Sequence, residues 1–141
     1  MKKYFNKVLI ILSVAMLFAS CNPTPPETVA VNLFNALTSG DMSYVKENLY
    51  FEKNMDYNLV CDYLDLAVKS NDYKERTTGY NADYKVDRVV YEDDIAWVEL
   101  QGMSPMGKRV TTVARMVMVD GKWKVDGDYT VLHSFKSRIS E

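Results

Sequence analysis

The sequence predicts an α+β domain, with amino-terminal helices packed on one face of an antiparallel sheet of about four strands. Three observations carry this. Apolar residues recur at spacings of three and four over roughly residues 26–70. Beyond about residue 82 the pattern alternates with period two and is rich in Val, Tyr and Trp. Asp120-Gly121 then supplies a two-residue hairpin loop, because both central positions of a type I′ turn require positive φ.

The helices come first. Val29, Leu33, Phe34 and Leu37 form one stripe. Thr24 stands at the N-cap position, with Pro25 at the first helical position and Glu27 at capping-box spacing. Gly40 stops this helix, and Asp41 caps a short second one that buries Met42, Val45 and Leu49. A third helix is predicted over Asp56–Ser70. Its expected buried stripe is Leu59, Val60, Tyr63, Leu66 and Ala67, with Asp62, Asp65 and Lys69 facing water. Cys61, inside this pattern, reads as a small buried hydrophobe. Residues 71–81 are polar and read as a connector.

Four strands are predicted, over Asp83–Glu92, Ile95–Met103, Arg109–Asp120 and Lys122–Val131. The Asp120-Gly121 loop sets the register: Val119 pairs with Lys122, Met118 with Trp123, Met116 with Val125 and Arg115 with Asp126. One face then carries Met116, Met118, Trp123, Val125 and Tyr129, and suits packing on the helices. Trp97 and Trp123 are expected to face the core. The other face mixes valines with charges, and reads as a solvated sheet or as a face that pairs two copies.

At 141 residues the chain has room for one domain. Apolar residues make up 48% and charged residues 26%, the composition of a globular protein. Lys2, Lys3 and Lys7 belong to a basic amino terminus; without them, 14 basic residues face 19 acidic ones. An acidic domain without clustered Lys and Arg lacks the footprint of nucleic-acid binding.

After Lys7, the run Val8–Ala19 is apolar apart from Ser13, and has the length of a signal-peptide core. It is short for a membrane-spanning helix. Leu17-Phe18-Ala19-Ser20-Cys21 resembles the lipobox of bacterial lipoproteins, with Phe18 where Leu is usual and Ser20 where Gly or Ala is commonest. The resemblance implies cleavage before Cys21 and lipidation of its thiol. That divides the chain into a signal peptide (1–20), a lipidated cysteine with a Pro-rich tether (21–26), one domain (27–132) and a polar tail (133–141). Two or more acyl chains give stable attachment, whereas one gives only marginal binding. Lipidation leaves Cys61 without a disulfide partner. Asn22, in place of the aspartate linked to inner-membrane retention, implies the periplasmic face of the outer membrane.

Thr28–Asp41 (TVAVNLFNALTSGD) resembles the first helix of the cystatin-like, or nuclear transport factor two-like, superfamily. Val119–Val125 (VDGKWKV) is similar to its last hairpin. More narrowly, the chain resembles small bacterial lipoproteins with a domain of unknown function, some described as lumazine-binding-like. The resemblance implies a cone, with helices in the concavity of a bent sheet. It also implies a short crossing strand between the helices, which Leu49–Phe51 can supply.

Enzymes of this fold, ketosteroid isomerases and scytalone dehydratases, place an acid–base pair inside the cone. Here the single histidine, His133, lies in the polar tail, and the nearest inward-carboxylate candidates are Asp56 and Glu99. The five acids between Asp83 and Asp94 read as solvated, and no spacing calls for a metal or cofactor. The leading expectation is therefore a non-catalytic domain, tethered to a membrane through Cys21, that binds a small molecule or a protein. Tyr57, Tyr63, Tyr84, Trp97, Met116 and Trp123 are the candidate pocket lining. The alternatives are an isomerase- or dehydratase-type enzyme and a structural envelope protein paired through its sheet.

Overall fold

The structure is a computed structural model that describes residues 22–77 and 80–130. The signal peptide, Cys21 and the tail with His133 lie outside the described residues. Helix α1 spans Pro26–Ser39. Thr24 is not its N-cap. A residue before proline is driven out of the helical region, so Pro25 sits at φ −56° and ψ 146°. The Pro25 carbonyl instead accepts from the amides of Thr28 (3.1 Å) and Val29 (3.2 Å). Gly40 ends α1 at φ 82°, a left-handed conformation that favours glycine.

Asp41 caps α2 (Met42–Asn48) as expected, its carboxylate accepting from the Tyr44 amide at 3.3 Å. The chain then forms β1 (Leu49–Tyr50), within the segment expected to supply the crossing strand.

Helix α3 covers Asn54–Lys69, beginning two residues before the expected Asp56. Its buried face keeps Val60 of the predicted stripe but not Leu59, Tyr63 or Leu66. Cys61 is buried, and Tyr57, Val60, Leu64 and Val68 pack against the core. Leu59, Tyr63 and Leu66 point outward, 68%, 70% and 70% exposed. The helix carries two apolar stripes about half a turn apart, so periodicity alone does not choose between them. Fixed contacts choose. The Tyr57 hydroxyl donates to the Lys46 carbonyl at 2.8 Å, and Val68 lies beside Gly40. Asp65 is likewise not merely solvated, because Lys46 pairs with it at 2.6 Å. Part of the expected connector is helical, as α4 (Asn71–Thr77). Ser70 opens it, its hydroxyl accepting from the Tyr73 amide at 3.2 Å.

The sheet holds β2 (Lys85–Glu92), β3 (Ile95–Met103), β4 (Arg109–Val119) and β5 (Lys122–Asp126) besides β1. Its order is β1-β5-β4-β3-β2. Five strands replace the expected four, and β1 runs parallel to β5. The β4–β5 register is the predicted one, with Met116 opposite Val125 and Met118 opposite Trp123. Asp120 and Gly121 both take positive φ, 49° and 75°. Two strand ends differ from expectation. Asp83 adopts φ 45°, which breaks the extended run, so β2 starts at Lys85. β5 stops at Asp126, and residues 127–130 are helical. Asp126 caps that turn, accepting from the Tyr129 amide at 3.4 Å.

The core lies between α1 and the concave face of the sheet. Ala30 and Leu33 pack there with Ala96, Val98, Leu100, Ala114, Met116, Trp123 and Val125. Alanines at 96 and 114 are fully buried, and their small size lets the helix approach the strands.

Candidate functional site

The six residues expected to line one pocket do not converge. Met116 and Trp123 are core residues, 0% and 9% exposed, and Trp123 meets the Tyr91 ring edge-on at 6.3 Å. Tyr57 is tied to Lys46, and Tyr63 projects from the outer face of α3. Tyr84 packs against Phe34, with ring centroids 5.5 Å apart. Asn35 latches its backbone twice, accepting from the Tyr84 amide at 2.9 Å and donating to its carbonyl at 3.4 Å.

Trp97 is not core-facing. Strand β3 buries Ala96, Val98 and Leu100, so pleating turns Trp97 to the opposite side of the sheet. There its indole N–H donates to Glu92 at 3.1 Å, and its ring meets Tyr129 at 5.0 Å. The Arg115 guanidinium lies 5.9 Å above that ring and pairs with Asp126.

Neither candidate catalytic carboxylate faces the interior. Asp56 sits in the first turn of α3, on the flank between its two apolar stripes. Glu99 shares the outer sheet face with Trp97 and pairs with Arg88 at 3.2 Å. The space between α1 and the sheet is filled, since Leu33, Leu100 and Met116 are at most 2% exposed. Among the described residues no three His, Cys, Asp or Glu side chains could hold a metal ion, and no helix is long and apolar enough to cross a membrane.

A concavity lies elsewhere. It is an open cleft of about 460 Å³, lined by Asn32, Asn35, Thr38 and Ser39 of α1, Asp41 and Tyr44 at the start of α2, and Tyr80 and Asn81. Local bonding builds its walls. The Tyr80 hydroxyl donates to the Met103 carbonyl, and the Asn81 side-chain oxygen accepts from the Asp83 amide at 3.0 Å. Thr38 donates its hydroxyl back into α1, to the Asn35 carbonyl at 2.9 Å. One Asp41 oxygen serves Ser43 and the Tyr44 amide. The Asn32 amide and the Tyr44 hydroxyl have no hydrogen-bond partner among the described residues and remain available to a ligand. Sequence reasoning missed this cleft. Its one local signal is the pair of asparagines, 32 and 35, one helical turn apart in the middle of α1.

Burial pushes the Tyr84 hydroxyl above its ordinary pKa, and the neighbouring Tyr80 adds to the effect. Burial does the same to Tyr73. The unfolded chain therefore releases these protons first as pH rises. Stability is fully present below about pH 10, the ordinary tyrosine value, and falls as pH climbs from there towards the folded-state values. Tyr84→Phe should flatten this alkaline loss, as followed by urea titrations between pH 8 and 11. An unchanged slope would remove Tyr84 as a source of it.

No protein-family model matches the chain, and no curated protein matches it. Solved structures do. The "Putative NTF2-like transpeptidase" of Campylobacter jejuni superposes with a TM-score of 0.59 at 18% identity, covering 73% of this chain and 98% of that one. A designed protein of NTF2 fold, NT-9, gives a TM-score of 0.45 at 12% identity, over 74% of this chain and 85% of the design. A DUF4783 family protein from Bacteroides ovatus gives 0.40 at 12% identity, over 74% and 96%. The first of these superpositions, with helices in the concavity of a curved five-stranded sheet, identifies the fold as the NTF2-like cone.

Proposed function

We propose that this chain is a lipid-anchored envelope protein that binds a small, uncharged, hydroxyl- and amide-bearing ligand in the cleft beside α1. The observation that carries the reading is the cleft itself, an open space of about 460 Å³ walled by amides and hydroxyls, two of them unengaged. Such groups match an N-acetylated sugar of the envelope, whose hydroxyls and acetamide both donate and accept. Binding rather than turnover fits the lining, where the carboxylate present, Asp41, is engaged in capping α2.

The lipobox-like segment ending at Cys21 supports the anchor, on the periplasmic face of the outer membrane. Only residues 22–25 separate that cysteine from α1, so the domain is held close to the bilayer. Titration of the full chain in detergent with N-acetylated sugar fragments should give saturable chemical-shift changes around Tyr44 and Asn32. Asn32→Leu, on the exposed side of α1, should abolish them without unfolding the domain. No shift with any such fragment, or shifts indifferent to Asn32→Leu, would reject the cleft as the site. Cys21→Ser should release the chain from the membrane fraction, and its retention there would reject the anchor.

A further inference from the structure

The strongest unexplained feature is the outer face of α3. Met55, Leu59, Tyr63 and Leu66 are 75%, 68%, 70% and 70% exposed, at spacings of four, four and three along one side of the helix. This stripe runs over about 17 Å of helix. It is not residual core, because the opposite side of α3 already packs on the domain through Tyr57, Cys61, Leu64 and Val68. No described element covers it. Contiguous exposed apolar surface of this kind marks an interaction site.

The charges beside the stripe indicate its occupant. Asp62 and Lys69, seven residues apart, lie on the same flank of the stripe, and both are exposed. Neither has an ion-pair partner among the described residues; the α3 acid that is paired is Asp65, which holds Lys46. When two such helices pack antiparallel about a two-fold axis, each flank meets its own counterpart. Centring that axis near Asp62 and Tyr63 sets Leu59 of one copy opposite Leu66 of the other. Helical side chains lean towards the amino terminus, so Lys69 reaches back towards Asp62 of the second copy, and the reciprocal pair forms equally. The face is therefore complementary to itself in both apolar stripe and charge. The acids on its flanks, Asp56 and Asp62, set it against an anionic lipid surface.

We propose that the outer face of α3 is a self-association surface, joining two copies of this chain through an antiparallel α3 pair. Such a patch buries on the order of 1,000 Å² in total, at the low end for specific complexes. The dimer is accordingly weak in solution. Confinement of the chain to a membrane through Cys21, the anchor proposed above, raises its effective concentration and compensates. The surface itself does not depend on the cleft or its ligand.

Cysteine cross-linking of the full chain in neutral phosphatidylcholine vesicles tests the geometry. Native Cys61 is buried and gives a low background. Tyr63→Cys lies near the two-fold axis and should cross-link with a short bis-maleimide about tenfold more than Met55→Cys, whose two copies would stand about 22 Å apart along the axis. Lys69→Glu should lower dimer yield several-fold, and Asp62→Lys combined with Lys69→Glu should restore it. Equal cross-linking at positions 55 and 63, or no recovery in the charge swap, would overturn the proposal. So would shielding of Tyr63→Cys that needs vesicles but persists when the protein is diluted to isolated copies, since that assigns the face to lipid. Cys21→Ser in solution should cross-link at Tyr63→Cys only at high concentration. That arm separates failure of the interface from failure of the anchor.

Discussion

Gly127→Ala is expected to destabilise the domain by about 3 kcal/mol, because the added methyl has nowhere to go. A Cβ at this position would lie 2.3, 2.4 and 2.8 Å from three ring atoms of Phe51. The ring cannot swing clear, since Phe51 is 7% exposed and wedged between the end of β1 and the end of β5. Urea denaturation of Gly127→Ala, Phe51→Ala and the double variant measures the clash directly. Phe51→Ala alone costs about 3–5 kcal/mol through its cavity. In the double variant the methyl occupies part of that cavity, so the loss should be well below the sum of the two single losses. Additive losses would mean that ring and methyl do not meet.

Arg115→Ala is the second large effect, expected at about 2–3 kcal/mol. Asp126 is the buried charged residue of the described chain, 5% exposed, and Arg115 is its cation. Removing Arg115 strands a carboxylate in the protein and strips the guanidinium from the Trp97 ring. Asp126 must stay where it is, because it also caps the turn at residues 127–130. The value sits below the range for fully buried pairs because the Arg115 side chain is 28% exposed. Asp126→Asn on the Arg115→Ala background should recover part of the loss, by deleting the stranded charge while keeping a capping oxygen. A double variant less stable than Arg115→Ala would show that the ion pair is not the source.

Much of this architecture was legible where local chemistry leaves one answer. Asp120-Gly121 dictates its hairpin, and the hairpin dictates the β4–β5 register as far as Met116 opposite Val125. Gly40 and Asp41 mark the step between α1 and α2 for the same reason. Legibility failed where the sequence holds two acceptable patterns. Helix α3 is apolar on two sides, and only the position of Lys46 and Gly40 in the folded chain picks Tyr57 and Val68 over Leu59 and Leu66. In strand β3 the phase of Ala96, Val98 and Leu100 is apolar, whereas the phase of Trp97 also holds Glu99 and Gln101. Size argues for Trp97 inside, yet the close approach of α1 requires Ala96 there instead. Of the cleft, only the asparagine pair 32 and 35 is visible in the sequence. Its walls come from α1, α2 and residues 80–81, which the Asn35–Tyr84 latch brings together across 49 positions of sequence.

The short strand β1 carries a consequence for how the molecule is made. Leu49 pairs with Val125, and Tyr50 with Asp126. A two-residue strand has no stability of its own, so it must wait for a partner synthesised 76 residues later. The helices therefore cannot finish folding ahead of the carboxyl-terminal hairpin. Until residues 122–126 arrive, Leu33 and Leu49 lack Trp123 and Val125 to pack against. Chain ends shortened to Val119 would lose more than one hairpin, because the seam that joins the first helices to the sheet would never close.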